Sequence, residues 1–336
     1  MNTLALTTLN NRSRVLLPGF IVSVIVAAAA TFLSEHYGAP VMLFALLLGM
    51  ALNFLSGDGP CKAGIEFTAR EVLRIGVALL GLRITLGQIA ALGWEPVALV
   101  IFSVVVTILL SMLVARLMGF QSLFGLLSGG ATAICGASAA MAISAALPGH
   151  AGKEKATLFT VIGVSALSTM AMIAYPMIAN GLGLDATQAG IFLGATIHDV
   201  AQVVGAGYGM SHETGDTATV VKLMRVAMLL PVIIVAAMIT RARGADDSGK
   251  RPPLLPWFAV GFIVLASINS TGVVPAAVQG FGNELSRWLL VIAISALGMK
   301  TQLRELASVG IKPILLMFGE TLFLMALVLA ALHCWP

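Results

Sequence analysis

The sequence predicts an all-α polytopic membrane protein with about nine to eleven transmembrane segments, two of them discontinuous or re-entrant. Apolar residues make up 59% of the 336-residue chain and charged residues 10%, against roughly 45–50% and about 25% in a soluble globular domain. A soluble protein of this size could not cover its surface with so few charges. Long apolar runs also follow one another closely along the chain, which is typical of consecutive membrane spans.

The apolar runs predict the following spans in chain order. They cover residues 15–33, 41–55, a stretch ending near 83, 97–117, 158–178, 218–239, 257–268, 285–299 and 314–332. Two charged or polar stretches between them, residues 61–74 and SHETGD at 211–216, are predicted to be an interfacial loop and a polar loop. The linker 241–253 is the most hydrophilic part of the chain.

Two further stretches combine apolar surroundings with residues that weaken a helix. They are SGGATAICGASAAMAIS at residues 128–144 and GATIHDVAQVVGAG at residues 194–207. Glycine destabilises a helix interior, and ionisable residues inside a membrane are costly and mark functional sites. A helix broken at membrane depth survives only where protein or a water-filled cavity satisfies the freed backbone. We therefore expect the two stretches to face each other and hold a solute.

Internal similarities predict an inverted repeat within a single domain over residues 1–336. Residues 70–93 resemble 286–310, with Arg83 aligned on Lys300, and residues 155–178 resemble 217–239 more weakly. Two related halves, at about 41–180 and 187–333, are typical of secondary transporters, whose discontinuous helices meet near the bilayer midplane. The alternative is that any two leucine-rich helices align.

The basic residues predict the orientation of the chain. With the N-terminus in the cytoplasm, most lysines and arginines, including those of the 241–253 linker, fall on the cytoplasmic side. If both glycine-rich stretches cross fully, Lys153 and Lys155 lie outside. If both are re-entrant, the two lysines lie inside, which fits the positive-inside rule better. Both arrangements stay open.

Four short motifs carry a resemblance to a known family. TAICGASAA and ATIHDVAQVVGAG in the two glycine-rich stretches, with GLR and ALGMK in the repeated helices, resemble the YeiH-type family of bacterial inner-membrane proteins, which is labelled as sulfate exporters. The resemblance covers nearly the whole chain. It implies a secondary carrier of the bacterial inner membrane, distantly similar to the bile-acid/sodium symporter and sodium/proton antiporter folds. The implied substrate class is sulfate, sulfite or a sulfonate.

The first glycine-rich stretch supplies four candidate substrate-binding residues. A half-helix that starts inside the membrane exposes unpaired N–H groups and a partial positive charge, so an anion can bind there without a dedicated cation. The candidates are Thr132, Cys135, Gly136 and Ser138. The alternative is tight helix packing through small residues.

The second stretch and the helix after it supply the other candidates. The substrate-binding candidates are Thr196, His198, Gln202, Lys222 and Arg225, and the coupling candidates are His198 and Asp199. Lys222 and Arg225 share a helical face, so they could neutralise Asp199 as a structural ion pair or attract an anionic substrate. Histidine changes charge near physiological pH, which allows a proton-coupled cycle. The role of Glu320, a lone acid in the last span, stays open.

The sequence therefore predicts a secondary active transporter, an exporter or exchanger, that moves a small anion and is coupled to protons. A sodium-coupled organic-anion symporter, with backbone carbonyls and Asp199 as ligands, is the main alternative. A membrane-embedded enzyme with Cys135 as nucleophile is the third, although no nucleophile elbow, HExxH or P-loop motif is present. We expect no cofactor, metal or nucleic acid partner. A homodimer is left open.

Overall fold

The computed structural model describes residues 2–37, 41–148, 152–242, 257–301 and 310–334. Every regular element in these ranges is helical, which confirms the all-α prediction. Most of the 241–253 linker, whose basic residues entered the orientation argument, lies outside the described ranges.

The sixteen principal helices that the structure describes follow one another along the chain. They are α1 Asn2–Tyr37, α2 Val41–Ala51, α3 Lys62–Phe67, α4 Leu73–Leu79, α5 Leu86–Ala91, α6 Glu95–Leu117, α7 Ser122–Ala133, α8 Ala137–Ala146, α9 Lys153–Gly181, α10 Ala186–Thr196, α11 Val200–Met210, α12 His212–Ala227, α13 Leu229–Ala242, α14 Trp257–Ser270, α15 Ala276–Lys300 and α16 Ile311–Cys334. Short 3₁₀ or π segments lie at Asn53–Ser56, Thr68–Val72 and Leu80–Leu82.

Several helices are long and apolar enough to cross a membrane. Within the described residues these are Arg14–Tyr37, Glu95–Leu117, Lys153–Gly181, His212–Ile239 and Ile311–Cys334. Shorter apolar helices lie at Val41–Ala51, Ala137–Ala146 and Trp257–Ser270. The chain is therefore a multi-pass membrane protein. The number of spans and the re-entry of the broken helices stay predictions.

The chain divides into two compact units. The first comprises Met1–Gln88 and Trp257–Gln302, and the second comprises Ile89–Pro256 and Leu303–Pro336. The first unit contains α1 to α4, α14 and α15, and the second contains α6 to α13 and α16. The single domain over residues 1–336 and the repeat segments 41–180 and 187–333 stay predictions.

In the first unit, α2 and α15 pack backbone to backbone through glycine. A Cβ atom on Gly298 would lie 2.3 Å from the carbonyl oxygen of Leu46, and one on Gly49 would lie 2.3 Å from that of Ser295. The amide of Asn53 continues the contact by donating hydrogen bonds of 2.9 and 3.0 Å to carbonyls of α15 and the residue after it. Close approach through small residues is the usual means of helix association in a bilayer.

The predicted interfacial loop at residues 61–74 is wrong, because the chain is helical from Lys62 to Leu82. Lys62, Glu66 and Arg70 are exposed, whereas Ile65 and Ala69 are buried. Charges four residues apart lie on one face of a helix, so the opposite face is free to pack. The number of charges in this stretch suggested a loop, but their spacing is helical.

The predicted polar loop at residues 211–216 is also wrong, since α12 begins at His212. The hydroxyl of Ser211 accepts a hydrogen bond of 3.0 Å from the backbone N–H of Thr214. Serine is a preferred N-cap residue because its oxygen satisfies an N–H that the helix cannot. The polar residues here form the first turn of a helix.

Replacing Gly298 by alanine should lower the melting temperature of the purified protein. The added methyl group would overlap the Leu46 carbonyl, and overpacking of this kind costs about 1–3 kcal/mol. Gly280→Ala is the matched control, because it lies on the same helix with no atom within 4 Å of the new Cβ and should be neutral or stabilising by up to about 1 kcal/mol. Equal melting temperatures for the two variants would contradict the packing described here.

Candidate functional site

The first glycine-rich stretch is interrupted between α7 and α8. The α7 helix ends at Ala133, and α8 begins at Ala137. Gly136 has φ +65°, a left-handed conformation that glycine adopts without the Cβ penalty of other residues. Its N–H donates a 2.8 Å hydrogen bond to the carbonyl of Ala131. Gly136 therefore ends one half-helix and permits the next to begin in a new direction.

The second stretch is interrupted between α10 and α11. The α10 helix ends at Thr196, and α11 begins at Val200. Asp199 lies between them, and its carboxylate accepts a 2.8 Å hydrogen bond from the N–H of Ala201. The N–H of Asp199 donates a 3.0 Å bond to the hydroxyl of Ser168 on α9. The start of α11 therefore has its own carboxylate cap.

Lys222 of α12 joins the two breaks. Its side chain is fully buried, and its ammonium group donates to the carbonyls of Ile134 at 2.6 Å, Ile197 at 2.9 Å and His198 at 2.5 Å. An ammonium group has three donors, so these bonds use all of them. We call residues 134–136 and 197–199 together the break junction.

Arg225, one turn further along α12, binds the same two half-helices. Its fully buried guanidinium group donates from Nε to Ala133 at 2.8 Å and from Nη2 to Thr132 at 2.9 Å. Its Nη1 donates to Gly194 at 3.1 Å and to Ile197 at 3.0 Å. All of these acceptors are backbone carbonyls at the C-terminal ends of α7 and α10.

The two cations and the two helix ends stabilise each other. The last carbonyls of a helix lack intrahelical partners, and the helix dipole places about half a negative charge there. No water is available in lipid to satisfy such groups, and a buried charge is costly unless it is paired or hydrogen-bonded. Lys222 and Arg225 therefore make the interrupted helices possible. The sequence left open whether they pair with Asp199; in the structure both side chains donate hydrogen bonds to backbone carbonyls.

His198 is held within the break junction by both ring nitrogens. Nδ1 lies 2.9 Å from the carbonyl oxygen of Thr132, which can only accept, so Nδ1 carries a proton. Nε2 lies 3.0 Å from the hydroxyl of Thr321. Neither ring nitrogen is directed at the thiol of Cys135, so this histidine is not placed to activate that thiol as a nucleophile.

Glu320, whose role the sequence left open, lies beside this site. Its Oε1 accepts hydrogen bonds from the hydroxyls of Ser111 at 2.5 Å and Ser128 at 2.7 Å, and its Oε2 accepts one from Thr132 at 2.9 Å. The side chain is 5% exposed. The signal in the sequence was a lone acid in an apolar span, but nothing local indicated its three partners.

The remaining candidates are placed differently from one another. The hydroxyl of Thr196 donates to a carbonyl within its own helix, so it is not directed at the break junction. Gln202 is buried; its Nε2 donates to the hydroxyl of Thr169 at 2.8 Å, while its Oε1 has no partner among the described residues. Cys135 is buried, and Ser138 is exposed.

The two half-helices that leave the break junction begin differently. Asp199 caps α11, whereas Gly136, which precedes α8, contributes no side-chain cap. The first N–H groups of a helix have no intrahelical acceptor. The N–H groups of Ala137 and Ser138 therefore begin α8 without a side-chain cap from Gly136, whereas the N–H of Ala139 is hydrogen-bonded to the thiol of Cys135. Ser138 is exposed and Ala137 is partly exposed.

A separate cavity of about 260 Å³ lies in the same unit. Its walls are mainly apolar residues in and next to α7 and α9, such as Phe124 and Phe159, with Lys153 and Lys155 among them. None of the predicted site residues lines it. Across the part of the chain that the structure describes, no group of three or more His, Cys, Asp or Glu residues could hold a metal ion.

Comparison with known proteins gives the family. The family model described as "Conserved hypothetical protein 698" matches residues 18–317. The chain belongs to this family. It is 57% identical over 316 residues to "UPF0324 membrane protein CT0845" of Chlorobaculum tepidum, covering 94% of this chain and 88% of the relative. It is also 57% identical over 319 residues to "UPF0324 membrane protein TauZ" of Paracoccus denitrificans, covering 94% of each.

These relatives confirm the expected membership of the YeiH-type family. A third relative, a "UPF0324 membrane protein" of Rhizobium meliloti, is 51% identical over 318 residues. The alignment covers 94% of this chain and 92% of the relative. Similarity to bile-acid/sodium symporters and sodium/proton antiporters stays a prediction.

Replacing Lys222 by methionine should strongly destabilise this family member. Three carbonyls would lose their donor, and hydrogen bonds to a charged group contribute about 1.5–3 kcal/mol each. Thermal unfolding in detergent is the measurement. Lys312→Met is the control, since Lys312 is exposed near the start of α16 and should leave the melting temperature nearly unchanged. A Lys222→Met protein as stable as wild type would contradict the capping role.

Proposed function

We propose that the chain is a secondary active transporter of a small anion of the sulfate, sulfite or sulfonate class, coupled to protons. The observation that carries the proposal is the uncapped N-terminus of α8, which lies next to two fully buried cations. We expect it to act as an exporter or exchanger in the bacterial inner membrane, with its N-terminus in the cytoplasm.

The start of α8 has the chemistry of an anion site. The N–H groups of Ala137 and Ser138 and the positive end of the helix dipole favour negative charge. The hydroxyl of Ser138 is exposed at the second position of this helix, where it can donate to an oxyanion. A bound anion would then accept hydrogen bonds at the start of α8, as the Asp199 carboxylate does at the start of α11.

The charges around the break junction favour the same ligand. Lys222 and Arg225 contribute two positive charges, and Asp199 contributes a partly buried carboxylate. The Lys222 and Arg225 side chains already bind helix carbonyls. They therefore attract an anion through their electric field rather than by direct contact. The other candidates, Thr132, Cys135, Gly136, His198 and Gln202, shape the surroundings of this site.

The architecture of the second unit supports transport rather than a static binding role. The order half-helix, break, half-helix, long helix occurs first in α7 to α9 and again in α10 to α12. Discontinuous helices that meet in this way hold substrates in secondary transporters and support alternating access. The relatives are named only as membrane proteins, which supports the membrane setting of the proposal.

A sodium-coupled symporter, the alternative, is less well supported. In such carriers, unwound backbone carbonyls and half-helix C-terminal ends coordinate sodium. Here the carbonyls of Ile134, Ile197 and His198 already accept hydrogen bonds from the Lys222 ammonium group. A sodium ion at this position would have to displace a buried cation. We therefore expect protons, with His198 and Asp199 as coupling candidates, rather than sodium.

Transport by proteoliposomes tests the proposal. Labelled sulfate, sulfite and methanesulfonate are offered under an imposed pH gradient without sodium, and at least one should accumulate. Ser138→Asp should reduce this accumulation at least tenfold, because the new carboxylate would occupy the α8 N-terminus as a tethered anion. Ser138→Asn, of similar size and uncharged, is the control and should retain most activity.

Three results would count against the proposal. One is no accumulation of any of the three anions by wild type. Another is accumulation that requires sodium at constant pH, which would favour the alternative. A third is a Ser138→Asp protein as active as Ser138→Asn, which would place the anion elsewhere.

A further inference from the structure

The hydrogen bonds around the carboxyl group of Glu320 can be counted for both its neutral and its ionised form. The hydroxyl oxygen of Ser111 is 2.7 Å from the carbonyl oxygen of Gly125 and 2.5 Å from Oε1 of Glu320. Both partners are close enough for hydrogen bonds. Ser111 has only one hydroxyl hydrogen, so it can donate to only one of them.

The count balances when Glu320 carries a proton. When Glu320 is protonated, the Ser111 hydrogen goes to the carbonyl oxygen of Gly125, which can only accept. The short contact between Ser111 and Oε1 then needs a hydrogen from the Glu320 side, which a carboxylic acid supplies. Ser128 and Thr132 donate to the same carboxyl group at 2.7 and 2.9 Å, so the neutral acid has a partner for every polar atom.

The same residues can also stabilise the ionised form. If the proton leaves, the Ser111 hydroxyl can turn from Gly125 to Oε1, and the carboxylate then accepts from three hydroxyls. Gly125 lies inside α7, so its carbonyl keeps its intrahelical hydrogen bond. Binding and release of the proton therefore need only the rotation of one hydroxyl group, with no buried polar group left unpaired.

Two glycines bring Ser111 and α7 close enough for this arrangement. A Cβ atom on Gly129 would lie 2.5 Å from the Ser111 Cβ, and one on Gly125 would lie 2.6 Å from the Cα of Met112. Neither position has room for a larger residue while α6 and α7 keep this contact. The site is thus built by the close packing of α6 against α7 and α16, rather than by chance proximity on a surface.

The charged groups around Glu320 lie mainly on one side. The helices packed against α16 are α6, α7, α9 and α10. Of these, α7 and α10 have no titratable side chain, α6 has only Glu95 and Arg116 near its ends, and α9 has Lys153, Glu154 and Lys155 in its first turn and Tyr175 further along. The titratable groups at the break junction and on the adjoining part of α12 are Cys135, His198, Asp199, Lys222 and Arg225.

Thr132 links Glu320 to these groups. Its hydroxyl donates to Oε2 of Glu320, and its carbonyl accepts from Nη2 of Arg225 and Nδ1 of His198. Only Thr132 therefore separates the acid from a buried cation. Because electrostatic interactions are strong in a poorly polarisable interior, the charge on Glu320 changes the electrostatic potential at the break junction.

We propose that Glu320 is a proton-binding site whose occupancy controls anion binding at the break junction. This inference rests on the proposed function. With a proton on Glu320, Lys222 and Arg225 outnumber the one carboxylate of Asp199, so the site has a net positive charge and favours an anion. His198 is neutral when the hydroxyl of Thr321, which also lies 2.8 Å from the carbonyl oxygen of Met317, turns its hydrogen to Nε2. When the proton leaves Glu320, the two carboxylates then balance the two cations and the anion is released. Proton and anion therefore bind cooperatively, and each raises the affinity for the other.

Infrared spectroscopy tests the proton site without any transport assay. The wild-type protein near neutral pH should show the C=O stretching band of a protonated carboxylic acid, and Glu320→Gln should lose it. Glu154→Gln is the control, because Glu154 is an exposed acid of the same unit and the band should persist. If Glu320→Gln does not fold, Ser111→Ala serves instead: it keeps the carboxyl group but removes its acceptor, so the band should shift in frequency.

Anion binding tests the coupling. The affinity of wild type and Glu154→Gln should fall about tenfold per pH unit in the range where Glu320 loses its proton, whereas Glu320→Gln should show little pH dependence there. Absence of the acid band in wild type, its survival in Glu320→Gln, no shift in Ser111→Ala, or an unchanged pH dependence in Glu320→Gln would each overturn the inference. Failure of wild type to bind any anion would instead refute the proposed function, while the infrared result would still decide the proton site.

Discussion

The hydrogen bonds from Lys222 and Arg225 to the C-terminal carbonyls of α7 and α10 are the interaction on which the second unit depends. An interrupted helix inside a membrane exposes backbone groups that lipid cannot satisfy. Two long cationic side chains from one helix face reach both interruptions and satisfy several carbonyls each. The charges are in turn compensated by the negative ends of two helix dipoles, so neither the breaks nor the buried cations would be stable alone.

This arrangement has a consequence for ligand chemistry. Because side-chain cations occupy the carbonyl ends, the polar backbone left over at the junction is the N–H end of α8, which has no side-chain cap. The opposite half-helix, α11, already has a carboxylate in Asp199. In the function we propose, an anion binds at the start of α8, and the cations at the carbonyl ends leave little place for a metal cation. Glu320 adds an adjustable charge on the far side of Thr132.

Much of this site could be predicted from the sequence. Glycine, histidine and aspartate inside apolar stretches already indicate broken helices, and the spacing of Lys222 and Arg225 places them on one helical face. The acceptors of these cations could not be predicted, because backbone carbonyls leave no pattern in the sequence. The partners of Glu320 could not be found either, since Ser111 and Ser128 lie 209 and 192 residues away in the chain. Local errors, as at residues 61–74, arose because the number of charges was weighed above their helical spacing.

The most direct test is the position of an anion in a crystal grown with selenate, which scatters anomalously and has the shape and charge of sulfate. The account predicts an anomalous difference peak within hydrogen-bond distance of the N–H groups of Ala137 and Ser138, with the Lys222 and Arg225 bonds to carbonyls intact. A peak bound directly to the ammonium or guanidinium group in place of those carbonyls, or a peak only at another part of the protein, would contradict it.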